Sequence, residues 1–221
     1  MLASEFAQEP LPVFVDAIRS RVAPILTGNH PEAVHDFRVQ VRRLRSVLAT
    51  YRPIYGRFYV DYLRDRLREI ALICSGLRDT EVLREKFRAY ERASGGEFPG
   101  YVRAQVQLWL EEQHRREFDL RRDVRRSLGD AEALRPLEQL EALLLLPARQ
   151  DQDADYFAAK VADTMWDKLH AKMNRVEDRV DDTEWLHDLR IDAKKLRYAA
   201  EFYRPVLPPL FHELEPLAKK I

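Results

Sequence analysis

The feature that most constrains this chain is a 22-residue segment that occurs twice. Residues 32–53 and 184–205 align without a gap, at a constant offset of 152 residues. Both copies contain Glu-x-x-His-Asp-x-Arg, then two adjacent basic residues, then Leu-Arg, and end in Tyr-Arg-Pro. Agreement at so many fixed positions indicates an internal duplication. The chain is therefore expected to contain two structurally related parts.

The first copy has the apolar spacing of an amphipathic helix. Val34, Phe37, Val41, Leu44 and Leu48 fall on one face at about 100° per residue. The whole chain has only 7 Gly among 221 residues, and 33% of its residues are charged. Few glycines and many charges are typical of exposed helices with ion pairs between successive turns. The predicted fold class is all-α.

Helical periodicity continues along most of the chain, and clusters of Gly, Pro and Asp separate the helices. Asn29 or His30 is predicted to cap the second helix, with Pro31 at its first position. Ser75-Gly76 is predicted to kink or end the third helix, and residues 94–100 form a predicted loop. The predicted helices cover approximately residues 12–26, 32–52, 57–77, 79–90, 102–128, 131–146, 156–179 and 184–204, with a last segment from residue 209.

In each copy, a stripe of cations follows the helix beside the apolar face. The first stripe contains His35, Arg38, Arg42 and Arg45, and it extends over about 15 Å of helix axis. Like charges stacked in this way destabilise a helix unless an anion compensates them. Two explanations stay open: acidic side chains of another helix, or an anionic ligand. The corresponding residues of the second copy are His187, Arg190, Lys194 and Arg197.

The net charge of zero conceals this pattern. The chain has 37 Lys and Arg against 37 Asp and Glu, but acids gather at residues 151–155 and 177–184. Another basic stretch, within 102–128, has Glu111, Glu112 and Glu117 four residues before arginines, which predicts a solvated, ion-paired helix. If the two copies pack about a pseudo-twofold axis, their stripes would line one positive groove. Such a groove suits a linear polyanion.

Other features of the sequence bear on compartment and class. Cys74 is the only cysteine, so an internal disulfide and a cysteine-based zinc site are excluded, and a reducing cytoplasm is the expected location. The acidic, proline-containing start lacks the blocks of a secretory signal. The longest aliphatic run, 143–146, is far too short to span a bilayer, so no membrane association is expected.

The duplicated motif resembles the CHAD family, the conserved histidine α-helical domain. His35-Asp-Phe-Arg-x3-Arg-Leu-Arg and His187-Asp-Leu-Arg-x3-Lys-Leu-Arg look like its paired signatures, and residues 77–82 look like the Arg-Asp segment that follows the third helix of each family repeat. The resemblance implies two helical bundles related by pseudo-twofold symmetry around a basic groove. It also implies non-catalytic binding of inorganic polyphosphate in the cytoplasm, often on polyphosphate granules.

The resemblance implies that twelve residues of this chain bind the anion. They are His35, Arg38, Arg42, Arg43, Arg45, Arg68, Arg78, His187, Arg190, Lys194, Lys195 and Arg197. No catalytic residue, metal ligand or cofactor is expected. In a crystal, sulfate or phosphate is expected to mark the same site.

The chain departs from the family pattern in two places. Cys74-Ser75 stands where the family usually has Leu-Gly, and the second copy is followed by only 16 residues. The expected organisation is therefore a single CHAD-like domain over residues 1–221, with one repeat over about 12–147 and an incomplete repeat over about 151–221. Three explanations are open: a truncated chain, a degenerate natural protein, or a second chain that completes the bundle in an oligomer.

Three other functions are compatible with the stripes. His35-Asp36 and His187-Asp188 resemble the metal-binding pairs of HD-type phosphohydrolases, although adjacent residues diverge by about 100° and the neighbouring arginines would repel a metal cation. A helical protein that binds nucleic acid weakly and non-specifically is the second alternative, with Tyr198 and Tyr203 as the nearest aromatic candidates. A scaffold whose stripes are paired internally is the third.

Overall fold

The computed structural model describes residues 1–28, 32–93 and 100–220. In these ranges the regular structure is helical, apart from one isolated β-bridge between Leu2 and Asp153. The all-α class is therefore confirmed. The predicted cap at Asn29 or His30 with Pro31 lies outside the described residues, as does the predicted loop up to Pro99.

Eleven α-helices are found in the described residues, together with short 3-10 segments. An N-terminal helix, α1, was not expected from the sequence, and the other helices follow the predicted order. The helices are α1 (Ala3–Ala7), α2 (Pro10–Thr27), α3 (Ala33–Leu48), α4 (Arg52–Tyr55), α5 (Arg57–Ile73), α6 (Ser75–Ala93), α7 (Gly100–Gly129), α8 (Arg135–Leu144), α9 (Ala154–Met173), α10 (Thr183–Tyr203) and α11 (Leu214–Lys219). No helix in the described ranges is both long and apolar enough to cross a membrane.

The end of the first duplicated helix differs from the prediction. Helix α3 ends at Leu48, and a 3-10 turn leads into α4, where Pro53 occupies the first turn. Proline is tolerated there because the N–H that it lacks would have no partner within the helix. Gly56 then ends α4 with φ 90°, and its N–H donates to the carbonyl oxygen of Arg52 at 2.9 Å.

The break between α5 and α6 lies at Cys74, one residue before the predicted position. Arg38 bonds to both sides of the break, because its guanidinium donates to the carbonyl oxygen of Ala71 at 2.8 Å and to the hydroxyl of Ser75. Arg78 lies in the first turn of α6, the helix that follows α5 after this break. Arg38 therefore stabilises the junction of two helices.

The chain divides into two compact units. The first unit consists of Met1–Val15, Arg42–Asp65 and Gln139–Ile221, and the second consists of Asp16–Val41 and Arg66–Glu138. Because the first unit contains parts of both duplicated segments, this division differs from the two repeats inferred from sequence. The repeat boundaries and the pseudo-twofold relation remain predictions.

Aromatic rings form the core of the first unit. Tyr51 and Tyr203, which occupy equivalent positions in the two copies, are fully buried, and their ring centroids lie 6.2 Å apart. Phe157 packs against Tyr51 at 5.5 Å, and Phe202 packs against Tyr203 at 4.8 Å. Burial raises the pKa of the Tyr51 and Tyr203 phenols, so both stay neutral. The end of each duplicated segment is thus anchored in a single core.

The second unit contains a buried network of charges between α6 and α7. Glu117 accepts hydrogen bonds from Arg84 and from Arg121, the latter at 2.8 Å. Glu81 accepts from Arg121 at 3.0 Å and from Arg78 at 3.4 Å. Burial raises the pKa of Glu81, whereas the nearby arginines act in the opposite direction. The sequence predicted that the ion pair between Glu117 and Arg121 lies on a solvated face of α7. In the structure, this ion pair instead contributes to the packing of α7 against α6.

Glu117→Ala is expected to destabilise the protein by about 2–3 kcal/mol, because two partly buried arginines lose the carboxylate that they share. Chemical denaturation followed by circular dichroism measures the loss. Glu112→Ala, an exposed position of the same helix, provides the control and should change the free energy of unfolding by less than about 0.5 kcal/mol. Equal effects of the two substitutions would contradict the role of Glu117.

Candidate functional site

The twelve candidate residues are distributed over the two units. The second unit contains His35, Arg38, Arg68 and Arg78. The first unit contains Arg42, Arg43, Arg45, His187, Arg190, Lys194, Lys195 and Arg197. Candidates from both duplicated segments therefore come together within the first unit.

A cavity of about 810 Å³ lies in the first unit, between the C-terminal part of α3, helices α9 and α10, and residues 150–152. Five of the candidate residues line it: Arg42, Arg45, His187, Lys194 and Lys195. The first two belong to one duplicated segment, and the other three belong to the second. The fold thus places parts of both predicted stripes on the wall of one cavity.

Three further cations of the lining were missed by sequence reasoning. Arg52 is part of the duplicated segment, since Arg204 stands at the equivalent position, so the repeat could have indicated it. Arg64 and Lys160 lie outside the repeat, and no sequence signal distinguishes them. Arg52 and Arg64 both donate to one oxygen of Asp61, at 2.6 and 2.9 Å. These hydrogen bonds, led by that from Arg52, lower the pKa of Asp61.

The charges of the cavity are strongly unequal. Among the described residues that line it, seven are Lys or Arg, and Asp151 is the one acid. The carboxylate of Asp151 already has hydrogen-bond donors, because it accepts from the hydroxyl of Ser4 and, at 3.2 Å, from the Ser4 backbone N–H. The wall therefore has a large excess of positive charge.

Lys194 shows the effect of this excess most directly. Its pKa is lowered first by burial and then by the positive charges of Arg190, Arg42 and Arg197. Arg42 lies on α3, whereas the other two lie one turn before and about one turn after Lys194 on α10. A lysine whose charged form is opposed by three arginines favours a negatively charged ligand.

Lys195 is held by an acid on its own helix. Asp192 is buried, and it accepts from Lys172 at 2.6 Å, from Lys195 at 3.0 Å and from Lys168 at 3.3 Å. Burial by itself would raise the pKa of Asp192, but these three hydrogen bonds lower it to about 2. Asp192 therefore fixes the direction of Lys195 while leaving the group of three lysines with excess positive charge.

Arg43 and Arg197 do not line the cavity. Arg43 pairs with Glu201, with 2.9 Å between Nη2 and Oε2, and Nε of Arg197 lies 3.8 Å from the other oxygen of the same carboxylate. Both guanidiniums lie over the ring of Tyr198, at 5.3 and 5.0 Å from its centroid. Tyr198 in turn is part of the cavity lining.

The four candidates of the second unit have different surroundings. Arg38 is bonded at the α5–α6 junction, and Arg78 pairs with Glu81 and, at 3.9 Å, with Glu32. His35 and Arg68 are exposed. In the free protein, Arg38 and Arg78 thus have internal partners that stabilise the second unit.

The structure also bears on a metal site. Within residues 1–28, 32–93 and 100–220, no three His, Cys, Asp or Glu side chains come together in a geometry suited to a metal ion.

Comparison with known proteins gives two kinds of similarity. The chain is 32% identical over 177 residues to uncharacterized proteins from two strains of Mycobacterium tuberculosis, CDC 1551 and H37Rv. The matched region is 76% of this chain and 34% of each relative, so the chain spans about a third of their length.

Two solved structures share the fold. The crystal structure of the CHAD domain from the plant Ricinus communis has a TM-score of 0.70 and 21% identity, and the match covers 99% of this chain and 74% of that one. PptA from Streptomyces chartreusis has a TM-score of 0.73 and 14% identity, with 100% and 82% covered. The family model of the CHAD domain matches residues 13–221. This match covers more than half of the sequence, and the chain belongs to the CHAD domain family.

Proposed function

We propose that the cavity of the first unit binds inorganic polyphosphate without turning it over. The observation that carries the proposal is the wall itself, with seven Lys and Arg against one acid. In this wall, the pKa of Lys194 is lowered by burial and then by the positive charges of three arginines. A ligand with many negative charges along its length removes this repulsion, and each phosphate releases bound counterions when it meets a cation.

The cations of the wall would have different tasks. Arg42, Lys160 and Lys194 would contact phosphate oxygens as the main attractive charges. Arg45 also lines the wall, and its Nε donates to the carbonyl oxygen of Arg64 at 2.8 Å. Lys195 is oriented by Asp192, and His187 stands exposed on the same wall. An array of fixed donors of this kind would hold a chain of phosphates through charge-assisted hydrogen bonds.

The remaining candidates and the cellular role belong to the same proposal. Exposed His35 and Arg68 are proposed as outer contacts, whereas Arg38 and Arg78 would have to exchange their internal partners for phosphate. Association with polyphosphate granules would follow from the same attraction.

Binding of single-stranded nucleic acid is the other function that such cations could serve. Base stacking needs exposed aromatic faces beside the cations. The aromatic residues of the cavity lining, Phe157 and Tyr198, are only 3% and 5% exposed. The cavity therefore fits a polyanion without bases better than a nucleic acid.

Reversing two charges of the wall should strongly weaken polyphosphate binding. Arg42→Glu with Lys194→Glu is expected to lower the affinity more than about tenfold at 0.1 M salt, because four units of charge change where phosphates would bind. Isothermal titration with a polyphosphate of defined length measures the loss. Arg115→Glu with Arg116→Glu, both exposed on α7, makes the same change in net charge and should retain most of the binding. If both double variants bind equally, the cavity is not the site.

Removing the charge of Lys194 should stabilise the free protein while weakening binding. The fold lowers the pKa of Lys194 below its ordinary value of 10.5. At a pH below this lowered pKa, the charged side chain therefore reduces the free energy of unfolding, and the reduction disappears as the pH rises towards 10.5. Lys194→Met should therefore raise Tm at pH 7 by about 1–3 °C, with the difference from wild type shrinking above pH 10. A lower Tm at pH 7, measured by differential scanning calorimetry, would contradict the repulsion.

Competition should separate polyphosphate from nucleic acid. Long-chain polyphosphate is expected to displace a fluorescent single-stranded oligonucleotide when both are present at equal phosphate concentration, as followed by fluorescence anisotropy. The reason is that the wall offers cations without exposed stacking faces. An oligonucleotide that stays bound under these conditions would favour the nucleic-acid alternative instead.

A further inference from the structure

Two arginines of the first unit share one carboxylate. Glu201 lies 2.9 Å from Arg43 and 3.8 Å from Arg197, measured between the nearest charged atoms. Two positive charges thus face one negative charge, so Glu201 neutralises the pair only in part.

The hydrogen bonding of the two guanidiniums is incomplete as well. Nε of Arg43 and Nε of Arg197 are both buried, and neither has a hydrogen-bond partner among the described residues. A buried N–H without an acceptor is unfavourable, and a bound anion or water is a common reason for its presence. The pair therefore has capacity for an acceptor beyond the single carboxylate.

The duplication shows that Glu201 is a feature of one copy. Arg43 and Arg197 both belong to the basic positions of the repeat, but the residue equivalent to Glu201 in the first copy is Ala49. The carboxylate is also accessible, since the side chain of Glu201 is 26% exposed. Tyr198, against which both guanidiniums pack, is part of the cavity lining. The cluster is thus next to the proposed site and open enough for exchange.

We propose that Glu201 is an internal competitor of the ligand. Its carboxylate occupies Arg43 and Arg197 in the free protein, and a phosphate group of the bound polyanion takes its place. This inference rests on the proposed function and adds a specificity-determining residue to it. Displacing the carboxylate costs binding energy, which a chain with many phosphates recovers at the other cations of the wall. A short anion recovers less, so Glu201 would select against short anions.

The test compares tripolyphosphate binding by wild type and Glu201→Gln in the same titration. Glutamine keeps the size of the side chain but removes its charge, so the affinity is expected to rise about two- to fivefold, the range of a partly exposed ion pair. The gain should be smaller for a long chain. Glu201→Ala, which makes the position like that of the first copy, serves as a second variant, and thermal unfolding verifies that each protein is folded.

Two controls separate competition from a general change of charge. Asp167→Asn removes one negative charge from an exposed position of α9 and should leave the affinity nearly unchanged. With Arg43→Met already present, Glu201→Gln should lose most of its effect, since the pair that is competed for is incomplete.

The outcomes also distinguish this inference from the function on which it rests. If wild type binds tripolyphosphate and Glu201→Gln binds no more tightly than Asp167→Asn, Glu201 is not a competitor and the proposed function stands. Weaker binding by Glu201→Gln and Glu201→Ala has the same meaning, because Glu201 would then only position the arginines. If neither wild type nor any Glu201 variant binds tripolyphosphate or long polyphosphate, both proposals are wrong.

Discussion

The packing of Tyr51 against Tyr203 is the contact on which the candidate site depends. The two tyrosines lie near the C-terminal ends of the duplicated segments. With Phe157 and Phe202, their rings form the buried core of the first unit. Arg42 and Lys194 lie close enough for the charge of one to lower the pKa of the other. Buried apolar area supplies the free energy that holds such cations together in the absence of a ligand.

The protein compensates its repeated cations in part, and each acid acts locally. Asp61 pairs with Arg52 and Arg64, and Asp192 pairs with three lysines. Glu201 pairs with Arg43 and Arg197. Of the cations paired with these three acids, Arg197 belongs to a stripe, so the explanation by internal acids applies to that position. It does not account for Lys194, whose surroundings are dominated by positive charge. Under the proposed function, a positive wall with internal acids at its margin would allow ligand affinity and chain-length selection to be set by different residues.

Much of the helical architecture could be predicted from periodicity, because apolar residues recur every three or four positions along the buried face of an amphipathic helix. The break at Cys74 was displaced by one residue, since it depends on the hydrogen bonds that Arg38 makes with Ala71 and Ser75. The roles of Arg78 and Glu117 could not be predicted either. Their partners lie on other turns or another helix, and sequence spacing carries no record of such contacts.

The sequence by itself determined the all-α class, the duplication and the existence of two cationic stripes, because these follow from helical spacing within one segment. Only the tertiary structure decided which cations share a cavity and which have acids. Arg42 and Lys194 line the cavity. Arg43 instead pairs with Glu201, and Arg38 donates a hydrogen bond at the junction of α5 and α6. Adjacent helical residues point about 100° apart, so the packing of neighbouring helices selects which of them meets an acid and which remains available to a ligand.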